Sequence, residues 1–289
     1  MRFDRFIAID WSGAAPGYNG ISVGCCMPGE AAPHLVKPPG KRWTRTAVAE
    51  WLDGEISAGL KALIGFDLAF SMPYEADGYL AGCGAHDAFA LWDFVEQVSD
   101  GEADFGAASV PADPRFAPCY WTKGTMPATW KLRRRQAEVA CAASTGTHPE
   151  TVFKLIGAKQ VGKASLTGMR VIRHLRQRLP GRVSVWPFEA PAGAVMVEIY
   201  PTLFRKQAAH GLAKLRTTGE LNRALRALGS KRLCTRVALS DHDTDALISA
   251  AGMRKLWQEG YQLPPVDLQT RREGWIFGVP LPKAVKVAA

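Results

Sequence analysis

Residues 6–10 are FIAID, an apolar run that ends in a carboxylate. The same pattern returns as LIGFD at 63–67 and as VMVE at 195–198. Short, almost entirely apolar runs are typical of strands that are covered on both faces of a sheet. Since a predicted helix separates the first two runs, we expect their strands to be parallel neighbours.

The surrounding sequence predicts an α/β fold. After FIAID come ISVGCCM and HLVKPP, separated by turns rich in Gly and Pro, which predicts a meander of three strands. A helix capped by Thr44 or Thr46 follows, and a second helix is predicted from about Ser240 to Glu259.

A large insertion is predicted between two parts of the core. Residues 1–75 and 183–289 carry the strand pattern, whereas 76–182 are predicted as a mainly helical insertion. Within it we expect a loop at 100–127, followed by two basic helices with the sequences TWKLRRRQAEVACAAS and LTGMRVIRHLRQRL.

Charge is unevenly distributed along the 289 residues. Residues 1–110 hold 7 Lys or Arg and 15 Asp or Glu, whereas 111–289 hold 29 and 12, and the formal net charge is +9. A basic second half is consistent with a polyanionic partner, although a basic soluble surface would look the same.

Cysteine usage and hydropathy indicate a cytoplasmic protein. The six cysteines form no CxxC pair, so reduced thiols are expected rather than a zinc site or disulfides. The first residues lack a signal-peptide pattern, and no apolar run is long enough to predict a membrane span.

Three carboxylates are expected at one edge of the sheet. Asp10, Asp67 and Glu198 each end an apolar run, and neighbouring strands lie about 4.8 Å apart. Carboxylates that close repel each other unless a cation or a proton intervenes. Such an edge is also where open α/β sheets bind ligands.

The last strong helix supplies a fourth acid. In SDHDTDAL, Ser240 and Asp243 have the spacing of a capping box, and Asp241 opposes the helix dipole. Asp245 lies deeper, before a stretch of small apolar residues, and His242 lies on the same face. We therefore interpret Asp245 and His242 as site residues.

Oxygen donors of this kind favour a hard divalent ion, Mg²⁺ or Mn²⁺. Two such ions, about 3.5–4 Å apart, can activate water and stabilise the leaving oxygen in phosphodiester cleavage. The predicted catalytic set is Asp10, Asp67, Glu198, Asp245 and His242, and the four acids are the predicted metal ligands.

Together, the motifs IAIDWSGA, IGFDLAFSMP, VWPFE, VEIYP and TDALISA resemble an uncharacterised family of predicted nucleases, domain of unknown function 429. This family is related to the Holliday-junction resolvases of the RNase H-like superfamily. The resemblance covers about residues 1–75 and 183–260.

The resemblance implies a five-stranded mixed sheet whose first three strands are antiparallel, with flanking helices. It also implies that Asp10, Asp67 and Asp245 bind metal and that Glu198 lies near them. The resolvases usually have Glu where Asp67 stands, which reaches about one methylene less far, and Glu198 could compensate.

Basic residues and one serine are possible substrate contacts. Arg133 and Arg134 lie in KLRRR, and Arg170 and Arg173 lie on one side of a predicted helix, where they could follow a phosphate backbone. Ser12 lies in a D-x-S-G turn whose amides could meet a phosphate. A solvated helix face or a simple turn explains each equally well.

The leading hypothesis is a metal-dependent nuclease acting on DNA or RNA. A phosphotransferase or ATPase of the sugar-kinase and actin-like branch is an alternative, because IAIDWSG resembles a first phosphate turn, but a second D-x-G turn is missing. A catalytically inactive nucleic-acid-binding module is the third. The sequence leaves the oligomeric state open.

Overall fold

Six strands form one mixed sheet in the computed structural model, which describes residues 1–15, 18–80, 82–128, 130–157, 160–208, 211 and 213–281. The strands are β1 (Arg5–Asp10), β2 (Ser22–Cys26), β3 (His34–Leu35), β4 (Ala62–Phe66), β5 (Val183–Val185) and β6 (Ala194–Glu198). Their order across the sheet is β3-β2-β1-β4-β6-β5.

The first three strands are antiparallel and the others continue in parallel. β1 pairs antiparallel with β2, so that Asp10 lies opposite Ser22. β1, β4, β6 and β5 are parallel neighbours. The predicted α/β class, with a mixed sheet and flanking helices, is therefore confirmed.

The predicted count of five strands is wrong, because β5 adds a sixth at the parallel edge. Val183 pairs with Ala194 and Val185 with Met196. The strand is only three residues long, since the chain turns at Trp186 and Pro187. The segment still fills the edge beside β6.

Nine α-helices flank the sheet within the described residues. They are α1 (Arg45–Ser57), α2 (Ala88–Val98), α3 (Ser109–Ala112), α4 (Gln136–Thr145), α5 (Gly162–Arg178), α6 (Pro201–Gln207), α7 (Thr218–Ala227), α8 (Asp241–Gln258) and α9 (Leu268–Glu273). As predicted, Thr44 caps α1 and Ser240 caps α8. None of these helices has the length and apolar character that crossing a bilayer requires.

The predicted helix TWKLRRRQAEVACAAS begins later than expected, and its first residue, Thr129, lies outside the described residues. Residues 131–135 have no regular secondary structure, and α4 begins at Gln136. Arg135 precedes it as the cap residue, and its backbone N–H donates to Glu138 Oε2 at 2.6 Å. The Arg135 side chain is buried in the core.

Each face of the sheet is covered by its own group of helices. In β1, Ile7 and Ile9 pack with residues of α1, α2 and α5, whereas Phe6 and Ala8 pack with residues of α6, α7 and α8. This alternation is the two-residue period of a strand covered on both faces.

The segment 76–182 contributes directly to one of these layers. Its helices α2 and α5 pack against each other, and α5 also packs against α1 and β5. Buried residues of both helices share one apolar cluster with strand residues such as Ile64. The segment predicted as an insertion therefore covers one face of the sheet.

Close packing of β2 against α8 generates the first prediction. A Cβ atom at Gly24 would lie 2.5 Å from the backbone oxygen of Ala246. We expect Gly24→Ala to lower the free energy of unfolding by about 1–3 kcal/mol, because the backbones must separate. Urea unfolding measures the change.

Gly54→Ala is the matched control, because an added Cβ there meets no heavy atom within 4 Å. Gly54 lies inside α1, so alanine should leave stability unchanged or raise it by up to about 1 kcal/mol. Equal stability of the two variants would contradict the tight β2–α8 contact.

Candidate functional site

Three strand-end acids lie at the carboxyl edge of the parallel strands. Asp10 is the last residue of β1, Glu198 is the last of β6, and Asp67 directly follows β4. The Asp67 backbone N–H donates to the Ile9 carbonyl at 2.9 Å, which continues the β1–β4 ladder past the strand end. The sheet therefore brings the acids together.

Helix α8 delivers the other two predicted residues to this edge. Its N-terminus is fixed to the sheet, because Ser22 Oγ donates to Asp243 Oδ1 at 2.6 Å. Asp243 and Ser240 also form the predicted capping box. As a result, His242 Nδ1 lies 3.0 Å from Asp10 Oδ2.

One cavity of about 530 Å³ contains the whole predicted set. Its lining includes the five residues predicted from sequence, Asp10, Asp67, Glu198, His242 and Asp245. Distant parts of the chain thus meet in a single recess. Their chemical environments differ, however, because some of them have cationic partners and one does not.

Glu198 is neutralised by a fully buried arginine. Arg135 donates from Nη2 to Glu198 Oε1 at 2.5 Å and from Nη1 to Oε2 at 2.7 Å. The same guanidinium binds Glu138 through Nε at 2.7 Å. Burial lowers the pKa of Arg135, but Glu138 and Glu198 together raise it above its ordinary value. We therefore do not count Glu198 among the metal ligands.

Asp245 is also compensated, by two cations. Arg205 binds Asp245 Oδ1 and Lys214 binds Oδ2. Asp245 and Arg205 are 2% and 4% exposed, whereas the Lys214 side chain is 40% exposed. Lys214 therefore contacts Asp245 from the solvent side.

The Asp67 side chain makes no hydrogen bond or ion pair with any other residue that the structure describes. Burial raises the pKa of Asp67 well above its ordinary value, and the charges of Asp10 and Asp245 raise it further. The Asp67 carboxyl therefore holds a proton more readily than an aspartate in water does.

Asp10 and His242 form a coupled pair beside it. Burial raises the pKa of Asp10, and the hydrogen bond to His242 partly offsets this. The same hydrogen bond raises the pKa of His242. The pair therefore holds a proton more readily than either side chain would alone.

These acids have oxygen donors of the kind that hard cations bind, but their side chains are not arranged as a metal site. Within the described ranges, no three His, Cys, Asp or Glu side chains form a metal-binding group. Carboxylate oxygens are the ligands that Mg²⁺ and Mn²⁺ prefer, and Asp10, Asp67 and Asp245 supply such oxygens to one cavity. Both Asp245 oxygens accept from a cation in this structure.

Two acid-bearing loops are held by α5, which the sequence analysis did not anticipate. Trp11 Nε1 donates to Thr167 Oγ1 at 3.1 Å. The Ala69 backbone N–H donates to Ser165 Oγ at 3.0 Å. Both hydroxyls lie on the first turns of α5, so this helix fixes the chain just beyond Asp10 and Asp67.

The predicted substrate contacts do not line the cavity. Arg170 is buried and binds Glu96, and Arg173 binds Asp93 at 2.6 Å. Both arginines therefore form ion pairs with acids of α2, Arg170 in the interior and Arg173 at the surface.

The other three predicted contacts are also placed elsewhere. Arg133 packs over the Phe153 ring, 4.0 Å from its centroid, and Arg134 is exposed. Ser12 accepts a hydrogen bond from the Ala14 backbone N–H at 3.3 Å, as expected of a turn residue.

The cations of the cavity were missed by sequence analysis. Arg205 lies in VEIYPTLFRK, four residues after the proline that begins α6, so a spacing argument could have suggested it. Arg135 and Glu138 have helical i, i+3 spacing, but the basic run KLRRR indicated a surface. Lys214 lies in a loop where no pattern marks it.

We compared the chain with family models, with curated proteins and with solved structures, and none matches. The proposals below therefore rest on the geometry, charge and burial of this chain.

Proton binding at the acids generates the second prediction. The pKa values of Asp10, Asp67 and His242 are all raised, so the folded protein binds more protons than the unfolded chain. The stability that each raised pKa contributes is fully present below the group's ordinary pKa, which is 3.8 for Asp and 6.5 for His. It is lost as the pH rises through the pKa of that group in the folded protein.

Without metal, the stability that these three groups contribute should therefore fall as the pH rises above 3.8, the ordinary pKa of Asp. Asp67→Asn should reduce that fall, because it removes one of the groups. Urea unfolding in EDTA measures both, with Asp100→Asn, an exposed acid outside the cavity, as the control. The same pH dependence in all three proteins would rule out an unusual Asp67.

The third prediction concerns Arg135. Arg135→Met leaves Glu138 and Glu198 buried without their cation, so we expect a loss of about 3–5 kcal/mol in unfolding free energy. Arg178→Met is the control, because its side chain is 66% exposed and a surface pair contributes about 0–1 kcal/mol. Similar losses in both variants would contradict the role of Arg135.

Proposed function

We propose that this protein is a divalent-metal-dependent nuclease that hydrolyses phosphodiester bonds of nucleic acid on an RNase H-like core. The observation that carries the proposal is the Asp67 carboxylate, which lines one cavity with Asp10 and Asp245 and makes no ion pair with any residue that the structure describes. A metal ion bound there would compensate the negative charge of this carboxylate.

The sheet supports the fold assignment. The three-strand antiparallel meander followed by parallel strands has the strand directions that the resemblance implies, although the sheet has six strands rather than five. The acids also lie where that resemblance predicts them, at the ends of β1 and β4 and near the start of α8.

Asp10, Asp67 and Asp245 are the residues proposed to hold Mg²⁺ or Mn²⁺. The bound ion would supply Lewis-acid polarisation of the phosphate and lower the pKa of a water molecule. This assignment omits Glu198 from the sequence-based set, because both of its carboxylate oxygens accept from the fully buried Arg135. Asp245 stays in the set, since Lys214, one of its two cations, is partly exposed and can move away.

The surrounding side chains have roles that follow from their contacts. His242 orients the Asp10 carboxylate through the hydrogen bond between them. Arg205 and Lys214 place two positive charges beside Asp245, and these charges can attract a phosphate. Arg135 fixes Glu198 as part of the cavity wall.

A cleavage assay tests the proposal and is our fourth prediction. Labelled DNA and RNA should be cleaved in Mg²⁺ or Mn²⁺ and remain intact in EDTA. Asp10→Asn and Asp67→Asn should lower the rate by about 100-fold or more, since loss of an outer partner of a metal site alone often costs about 10–100-fold.

The Asp100→Asn variant should cleave nucleic acid at the same rate as the wild type, because Asp100 is an exposed acid outside the cavity. Absence of cleavage by the wild type, or equal cleavage by Asp10→Asn, would refute the nuclease. Binding of nucleic acid without any metal dependence would instead favour the inactive binding module.

A further inference from the structure

The acids lie inside a recess rather than on an open surface. Asp10 is 7% exposed and Asp245 is 2% exposed. The cavity that they line, at about 530 Å³, is within the range of about 300–1,000 Å³ that is typical of small-molecule sites. A double helix is far larger, because its major groove alone is about 12 Å wide.

Part of the wall comes from the segment 76–182. His148 and Glu150, between α4 and α5, line the cavity, and so does Ala164 in the first turn of α5. The same region of α5 binds the loops that follow Asp10 and Asp67. The same helix therefore forms part of the cavity wall and holds the chain beside the acids. A regular duplex could reach the acids only if its base pairs opened.

A buried arginine in the cavity has unused hydrogen-bonding capacity. Arg205 binds Asp245 through Nη1 and Thr202 through Nη2, but its buried Nε has no partner among the described residues. Lys214 beside it is partly exposed. A cation with a spare donor fits a phosphate oxygen.

Two further planar side chains line the cavity. His148 is exposed and Tyr200 is half-buried, and both line the cavity. Unpaired bases are commonly recognised by stacking on such rings. The cavity therefore combines acids, cations and rings within the volume of a small-molecule site.

We infer that the cavity receives one unpaired nucleotide of a nucleic acid strand, with its phosphate, and that His148 and the wall around it exclude duplex. This inference rests on the proposed function, because it names the form of nucleic acid that the same site accepts.

Binding assays test it. The probes are short fluorescein-labelled single strands of DNA and RNA, and the same strands annealed to blunt duplexes. Fluorescence anisotropy is recorded in Ca²⁺, with gels of the same samples to detect cleavage. An unlabelled dinucleotide, added as competitor, shows whether one nucleotide unit is enough or a longer strand is needed.

We expect single strands to bind at least about tenfold more tightly than duplexes, and His148→Ala to weaken single-strand binding about five- to tenfold through lost stacking. His86→Ala is the matched control, since His86 is exposed in the same segment but outside the cavity. Both substitutions are at exposed positions, and unfolding curves check that the variants are folded.

The outcomes separate this inference from the proposed function. Cleavage inside a duplex as fast as in a single strand would overturn the inference and leave the nuclease standing. A single-strand preference that His148→Ala reduces, without cleavage in Mg²⁺ or Mn²⁺, would retain the cavity's role and refute the nuclease. Equal binding of all probes, binding of none, or equal behaviour of the two histidine variants would overturn the inference.

Discussion

Repulsion among buried carboxylates is the constraint on which this molecule depends. A parallel sheet whose strands end in acids forces negative groups together, and burial removes the water that would otherwise screen them. Cationic side chains from outside the sheet compensate two of these acids. Arg135 forms an ion pair with Glu198, and Arg205 and Lys214 form ion pairs with Asp245. Among the described residues, none forms an ion pair with Asp67.

Much of the acidic edge could be predicted from sequence because its determinants are local. An apolar run that ends in Asp specifies both the strand and the position of the carboxylate, and the parallel order of β1 and β4 puts Asp10 and Asp67 at the same edge. Asp245 was also predictable, because its helix begins at a clear cap and continues into small apolar residues.

Long-range pairing explains what the sequence did not reveal. Arginines at a spacing of three on α5 suggested an exposed basic face, but acids on α2 bind two of them. The basic run before α4 suggested a surface helix, whereas Arg135 is buried between two glutamates. In both cases the partner comes from another element, and periodicity carries no information about it.

The same ion pairs give a structural meaning to the uneven charge of the chain. Glu96, Asp93 and Asp53 lie in the acidic first 110 residues, and their partners on α5 lie in the basic remainder. These pairs join acids of the first part to bases of the second, so a small part of the positive excess is compensated within the fold. A backbone cut near residue 110 would separate two fragments of opposite net charge, each missing the counterions that the other supplies.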